Sequence, residues 1–197
     1  EILLVLQAMA HEKGALFVLD EVVTFPRCGI GGAQLLYNVI PDLACVSKGI
    51  ANGWPLAALV GQRQYMERLN AGDIFASWTF AGETTALAAA KATLEVIAQP
   101  EVLKTMHTHG WALGEGLQAL FRDYDLPADV YGHPWRLGVR WRGVPGEASA
   151  AELRTLWLAE HARRGVLHGI GVIFPMKCWE ASTVDTLLQV AREVCEI

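Results

Sequence analysis

Three short, uniformly apolar runs constrain this chain more than any other feature: Ala15-Leu16-Phe17-Val18-Leu19, Leu43-Ala44-Cys45-Val46 and Leu56-Ala57-Ala58-Leu59-Val60. Runs of this length and uniformity are expected of strands buried on both faces of a mostly parallel sheet. Loops marked by Pro26, Gly29, Gly31, Gly32 and Pro41, then by Gly49, Gly53 and Pro55, separate them. The first two runs end on ionisable residues: Asp20-Glu21 follows the first, and Ser47-Lys48-Gly49 the second. Ligands in open α/β sheets bind in the crevice beyond the carboxyl ends of strands, so Asp20 and Lys48, 28 residues apart, are predicted to face one site.

The remaining pattern predicts a helix over residues 1–13 stopped by Gly14, and a well-packed Ala/Leu-rich helix over Thr84–Ala98 that Gln99-Pro100 ends. Beyond Pro100 the texture changes to a helix at about 101–122, a strand at Leu137–Trp141, a helix at about 150–164 opened by Ser149, a short strand at Val172–Phe174 and a last helix at about 182–196. This reads as a small α+β unit following an α/β unit, with domains at 1–99 and 100–197.

Composition narrows the partners. Sixteen basic against 21 acidic residues give a net charge of −5, with no cationic field for nucleic acid or anionic lipid. Small-molecule or protein partners are expected. The four cysteines, Cys28, Cys45, Cys178 and Cys195, form no C-x-x-C pair and stand near no histidine ladder, so they read as reduced thiols of a cytoplasmic protein without a metal site. No run approaches the roughly 18 apolar residues of a membrane span. The chain starts with Glu1 inside a predicted helix, as expected of a piece of a longer polypeptide.

Asp20 and Lys48 together fit a pyridoxal phosphate site. A lysine amine can hold that cofactor as a Schiff base, and a carboxylate can keep its pyridine nitrogen protonated, making the ring an electron sink. Other readings exist. A lone lysine is usually a solvated surface charge, but a position just past a buried strand predicts a partly desolvated amine. Asp20-Glu21 also reads as a structural acid pair that caps a helix or joins ion pairs. It matches as well the magnesium-binding strand of a nucleoside triphosphatase, although the phosphate loop G-x-x-x-x-G-K-[ST] is missing from these 197 residues. A non-catalytic domain of the same fold is a further alternative.

Six ordered motifs carry a more specific resemblance: Leu19-Asp20-Glu21-Val22-Val23-Thr24, Gly31-Gly32-Ala33-Gln34, Pro41-Asp42-Leu43, Ser47-Lys48-Gly49, Gly53-Trp54-Pro55-Leu56-Ala57-Ala58 and Trp78-Thr79-Phe80-Ala81-Gly82. Together they resemble the class III aminotransferases, pyridoxal phosphate enzymes of fold type I, and the Gly-Gly-Ala-Gln element most resembles the glutamate-1-semialdehyde aminomutases. The resemblance is dense over residues 13–98. It implies a transaminase or aminomutase acting on small amino and keto compounds, working as a homodimer. Lys48 matches the lysine that carries the cofactor and moves the substrate proton. Asp20 matches the acid on the pyridine nitrogen, Val22 the side chain beneath the ring, and Thr79 the hydroxyl that reaches the cofactor phosphate of the neighbouring subunit.

Departures from the pattern are equally specific. Thr24-Phe25-Pro26-Arg27 stands where Thr-Gly-Phe-Arg is usual, which predicts a stiffer turn and a different aim for Arg27. Trp78 replaces a common glycine, and Glu83-Thr84 replaces Asn-Pro, predicting a pocket altered in size and charge. The phosphate-cradling Gly/Ser loop and the ring-stacking aromatic, which the resemblance places upstream, are outside these residues, so the isolated chain is expected to be inactive. His107 and His109, two apart on a helix, are predicted on different exposed faces. His11, His133, His161 and His168, like Trp54, Trp78, Trp141 and Trp179, are assigned no role in the site.

Overall fold

The first apolar run forms a shorter strand than its composition predicts. Helix α1 (Ile2–Glu12) ends at Gly14, whose φ of 68° is readily adopted by glycine. There the Gly14 N–H bonds the His11 carbonyl and the Ala15 N–H bonds the Ala10 carbonyl. Ala15 therefore completes the helix cap, and Phe17 is held by the carboxylate of Asp42, so that strand β1 comprises only Val18–Asp20. The computed structural model describes residues 1–169 and 171–197.

Chain packing separates two units, Glu1–Leu103 and Lys104–Ile197. In the first, β1 pairs in parallel with β2 (Leu43–Val46), which pairs antiparallel with β3 (Ala58–Gly61). Only one of the two pairings in this sheet is thus the parallel kind expected. Leu16, Val18, Leu59 and Val60 are each more than two-fifths exposed, so the double burial predicted for the outer runs is not met by this chain's own residues. Helix α2 (Gly32–Leu36) links β1 to β2, and a 3-10 turn (Lys48–Ala51) follows β2. Helices α3 (Arg63–Asn70) and α4 (Thr84–Ile97) follow β3.

One buried carboxylate fixes the amino ends of β1 and β2. Asp42, 2% exposed, accepts hydrogen bonds from the Phe17 N–H at 2.7 Å, His11 Nε2 at 2.8 Å and the Gln62 side-chain amide at 3.2 Å. These donors come from α1, the start of β1 and the entry to α3. The Phe17 N–H and then His11 hold the Asp42 carboxyl below the ordinary carboxylate value.

The second unit is an α+β arrangement. Strands β4 (Ala128–His133), β5 (Arg136–Trp141) and β6 (Val172–Ile173) form an antiparallel sheet, alongside helix α5 (Pro100–Asp123), α6 (Ala150–Arg163) and α7 (Ala181–Cys195). On α5, Leu113, Leu117, Leu120 and Phe121 recur at helical spacing and meet Ala128, Leu137, Trp157, Val184 and Ala191 in one core. Burying a side chain such as Phe121 is worth roughly 1.5–3 kcal/mol. Ser149 opens α6 with a capping box: its hydroxyl accepts from the Glu152 N–H, and the Glu152 carboxylate accepts from the Ser149 N–H. No helix among the described residues is long and apolar enough to cross a membrane.

The histidines depart from expectation. His107 and His109 are half-buried on α5, and His109 Nδ1 is enclosed with no hydrogen-bond partner among the described residues. His161, unassigned from sequence, is 2% exposed, with its Nδ1 2.8 Å from the Trp157 carbonyl and its ring edge-on to His168 at 4.6 Å. Since a carbonyl only accepts, Nδ1 carries the proton. Burial, with His168 and Arg164 nearby, pushes the His161 imidazole down to about 4.

An unfolded histidine takes up a proton near its ordinary value of 6.5, while folded His161 resists until about 4. Stability is therefore full above that ordinary value and is lost as pH falls towards the folded one, by about 3 kcal/mol. Urea titrations followed by tryptophan fluorescence are expected to show this loss, and His161→Leu is expected to flatten it across that window.

Candidate active site

Parallel pairing of β1 and β2 sets Asp20 opposite Cys45, so both strands run out at the same edge of the sheet. Asp20 is the last residue of β1, and Lys48 stands two residues beyond the end of β2. The Glu21 N–H continues the ladder to the Cys45 carbonyl at 2.8 Å. This edge is where polar side chains meet outside the hydrophobic layer.

The two neighbouring acids have separate fates. Glu21 is fully buried, and its carboxylate accepts the Ala33 and Gln34 N–H groups, both at 2.9 Å, together with the Thr24 hydroxyl. A buried carboxylate is tolerable only with such donors, and here they are the free N–H groups at the start of α2. Gly32 makes this possible. Its φ is 67°, and a Cβ there would lie 2.6 Å from Glu21 Oε1. Glu21 is thus the helix-capping acid and has no oxygen to spare for a water or a metal, so the nucleoside triphosphatase reading gains no support from it. Asp20 is exposed, and its Oδ1 accepts the Val22 N–H at 2.9 Å. The desolvation anticipated for the pair falls on Glu21 alone.

Lys48 begins its 3-10 turn at φ 48°, an uncommon conformation for a residue with a side chain, and Asn52 closes the turn at φ 45°. The surroundings hold it there. The Ser47 hydroxyl donates to the Leu56 carbonyl at 2.7 Å, and Ile50 and Ala51 pack with Val46 and Ala90 beneath the turn, bordered by Phe25, Leu56 and Leu94. The Lys48 side chain is exposed rather than partly desolvated, and its amine has no ion pair or hydrogen bond among the described residues.

Val22 is half-buried in the loop after β1. In the same loop the Arg27 guanidinium donates from Nη1 to the Val23 carbonyl at 2.8 Å and lies against Gly49, where a Cβ would sit 3.3 Å from its Cζ. Burial draws this guanidinium below its ordinary value. Thr79 belongs to an exposed segment in which Phe75, Trp78 and Phe80 are 92%, 72% and 81% exposed. Glu83, expected to alter pocket charge, caps α4 instead: its carboxylate accepts the Thr85 and Ala86 N–H groups. The parallel strand pair therefore brings the ends carrying Asp20, Val22 and Lys48 to one edge, whereas Thr79 lies on a separate loop before α4. The capping reading offered from sequence for the Asp20-Glu21 pair thus holds for Glu21 and not for Asp20; Thr24 three residues after Glu21 and the Gly-Gly start of α2 are the signals that single it out.

The family described as aminotransferase class-III matches residues 1–140. A glutamate-1-semialdehyde 2,1-aminomutase of Thermomicrobium roseum is 31% identical over 95% of this chain and 46% of its own length. A 2'-deamino-2'-hydroxyneamine transaminase of Streptomyces kanamyceticus is 38% identical over 93% of this chain and 45% of its own. A solved transaminase with PLP bound superposes with a TM-score of 0.92 at 19% identity, over 98% of this chain and 47% of that one. The chain thus spans about half the length of these relatives.

The Glu21 arrangement makes a direct stability prediction. Glu21→Gln turns an amide donor towards backbone N–H groups and is expected to cost about 1–3 kcal/mol. Gly32→Ala, which sets a methyl against that carboxylate at positive φ, should cost at least as much. Denaturant midpoints should fall in both variants with unchanged slopes, and a midpoint equal to that of the parent would refute the buried cap.

Proposed function

The chain belongs to the class III aminotransferases, and from that premise we propose that it forms the C-terminal part of a fold type I cofactor domain (residues 1–99) followed by a small α+β domain (100–197), serving pyridoxal phosphate-dependent amino transfer. The observation that carries this reading is the pairing of an open carboxylate with an open amine at the shared edge of β1 and β2. Asp20 keeps one carboxylate oxygen without a partner among the described residues, and so does the Lys48 amine. These are the two groups the cofactor requires: an acceptor for a protonated ring nitrogen and a nucleophile for an aldehyde carbon. The residues fit the cofactor.

When bound, the cofactor supplies an electron-withdrawing ring that stabilises charge left at a substrate carbon after proton loss. Lys48 would hold it covalently. The Lys48 amine, when a substrate amine replaces it, would be the base that takes a proton from the substrate α-carbon and hands it back to the substrate–cofactor pair. Asp20 would keep the proton on the ring nitrogen through a fixed opposite charge. Val22 would pack beneath the ring. Thr79 would reach the phosphate of a cofactor held by a second subunit, and the exposure of Phe75, Trp78 and Phe80 around it supports a homodimer built through this segment. Small amino donors and keto acceptors are the substrates. The relatives' names include both an aminomutase and a transaminase, and movement of an amino group is the chemistry they share.

Incubation of the full-length protein with pyridoxal phosphate, borohydride reduction and peptide mass mapping should place the cofactor mass on Lys48. Lys48→Ala should lose the adduct. Asp20→Asn should keep it while amino transfer from a panel of amino acids slows about 10²–10³-fold. Cofactor fixed to the same peptide in Lys48→Ala would show the assignment to be wrong.

A further inference from the structure

We propose that Arg27 is a positioning residue for Lys48, a strut tying the loop after β1 to the turn after β2. The proposal rests on the cofactor-bearing role of Lys48 given above. The loop after β1 carries Val22 directly behind Asp20, and the turn after β2 carries Lys48-Gly49. Arg27 touches both. Its Nη1 donates to the Val23 carbonyl at 2.8 Å. Its guanidinium plane lies against Gly49 so closely that a Cβ there would be 3.3 Å from both Cζ and Nη1, and 3.2 Å from Pro26 Cδ. Gly49 is thus the residue whose missing side chain admits the strut.

The turn needs such support. Lys48 at φ 48° occupies a left-handed region that is unfavourable for a residue with a side chain and persists only where neighbours enforce it. Ile50 and Ala51, packed with Ala90 of α4, hold the later part of the turn, and the Ser47 hydroxyl holds its entry. Arg27 and the buried Pro26 supply the wall next to Gly49. A planar guanidinium packs flat against a backbone and keeps a hydrogen bond in its plane, which a lysine ammonium does not reproduce. Displacement of this wall frees the Lys48 backbone to leave its left-handed conformation and carries the amine away from the edge it shares with Asp20. Positional errors of this size lower rates without removing any reacting group.

The test uses full-length protein, pyridoxal phosphate and borohydride, reading the rate of cofactor fixation on the Lys48 peptide, corrected for folded fraction by circular dichroism. Arg27→Ala is expected to slow fixation at saturating cofactor about tenfold while the half-saturating concentration changes less than about twofold. Arg27→Lys should not restore the rate. Gly49→Ala, whose Cβ would press on Pro26 Cδ and the guanidinium and shift them by a few tenths of an ångström, should give a smaller defect in the same direction, and the double variant should be no slower than Arg27→Ala. A wild-type fixation rate in folded Arg27→Ala, or additive effects of the two substitutions, would overturn the strut. If the unsubstituted protein is not labelled on Lys48, the cofactor reading fails separately. The tie is then judged on melting temperatures of the same four proteins, where non-additivity supports it and additivity sinks it.

Discussion

The buried carboxylate of Glu21 is the constraint around which the proposed site is arranged. An ion removed from water is stable only when donors replace its hydration, and leaving one unmatched costs several kcal/mol. Here two backbone N–H groups and the Thr24 hydroxyl do so. Meeting that demand folds the loop after β1 back onto the start of α2, requires glycine at position 32 and directs the preceding residue, Asp20, the opposite way. Alternation along an extended chain does the rest: if Glu21 points inward, Asp20 points outward. At the other end of the strand pair the Asp42 carboxylate gathers donors from α1, β1 and the entry to α3. The short parallel ladder is thus clamped at both ends by buried acids, which compensates for its having only three paired positions.

On this scaffold the proposed reactive groups are exposed while the groups that hold them are buried. Lys48 and Asp20 both face outward, whereas Ile50, Ala51, Pro26 and Glu21 beneath or beside them are buried. The left-handed backbone at Lys48 stores strain that the packing of α4 and the Ser47 hydrogen bond maintain. A cofactor-bearing lysine must stay in place through repeated attachment and release, and a turn held by packing meets that requirement better than a free loop does.

Legibility from sequence followed the range of the interaction concerned. Local rules read well: Ser149 marked the start of α6, the Ala/Leu stretch marked α4, and the strand expected over Leu137–Trp141 is β5 with one residue added at its start. Elements whose stability comes from distant partners read poorly. Strand β4 contains Asp129, Gly132 and His133 and shows no strand pattern alone, yet it pairs with β5 along its whole length. Helix α3 is only eight residues long, and Tyr65, Met66 and Leu69 are too few to announce it. The outer apolar runs promised double burial that this chain's own residues do not provide, since composition records what a segment is suited to and not what lies against it. The strand-end positions of Asp20 and Lys48 were legible because strand ends are local features. Which acid of the Asp20-Glu21 pair caps a helix, and what Arg27 lies against, were not, because their partners are 12 and 22 residues away, respectively.

Asp20 gains significance from the other acids. Glu21, Asp42, Glu83 and Glu152 each accept at least one backbone N–H that would otherwise be unsatisfied at a strand or helix start. That is how a chain selected for stability uses carboxylates at element boundaries. Asp20 accepts a single local bond from Val22 and keeps an oxygen open, at the same edge as an amine that is also open. In the function proposed above, a third group that both hold accounts for an open acid and an open amine at one edge, one of them on a strained backbone.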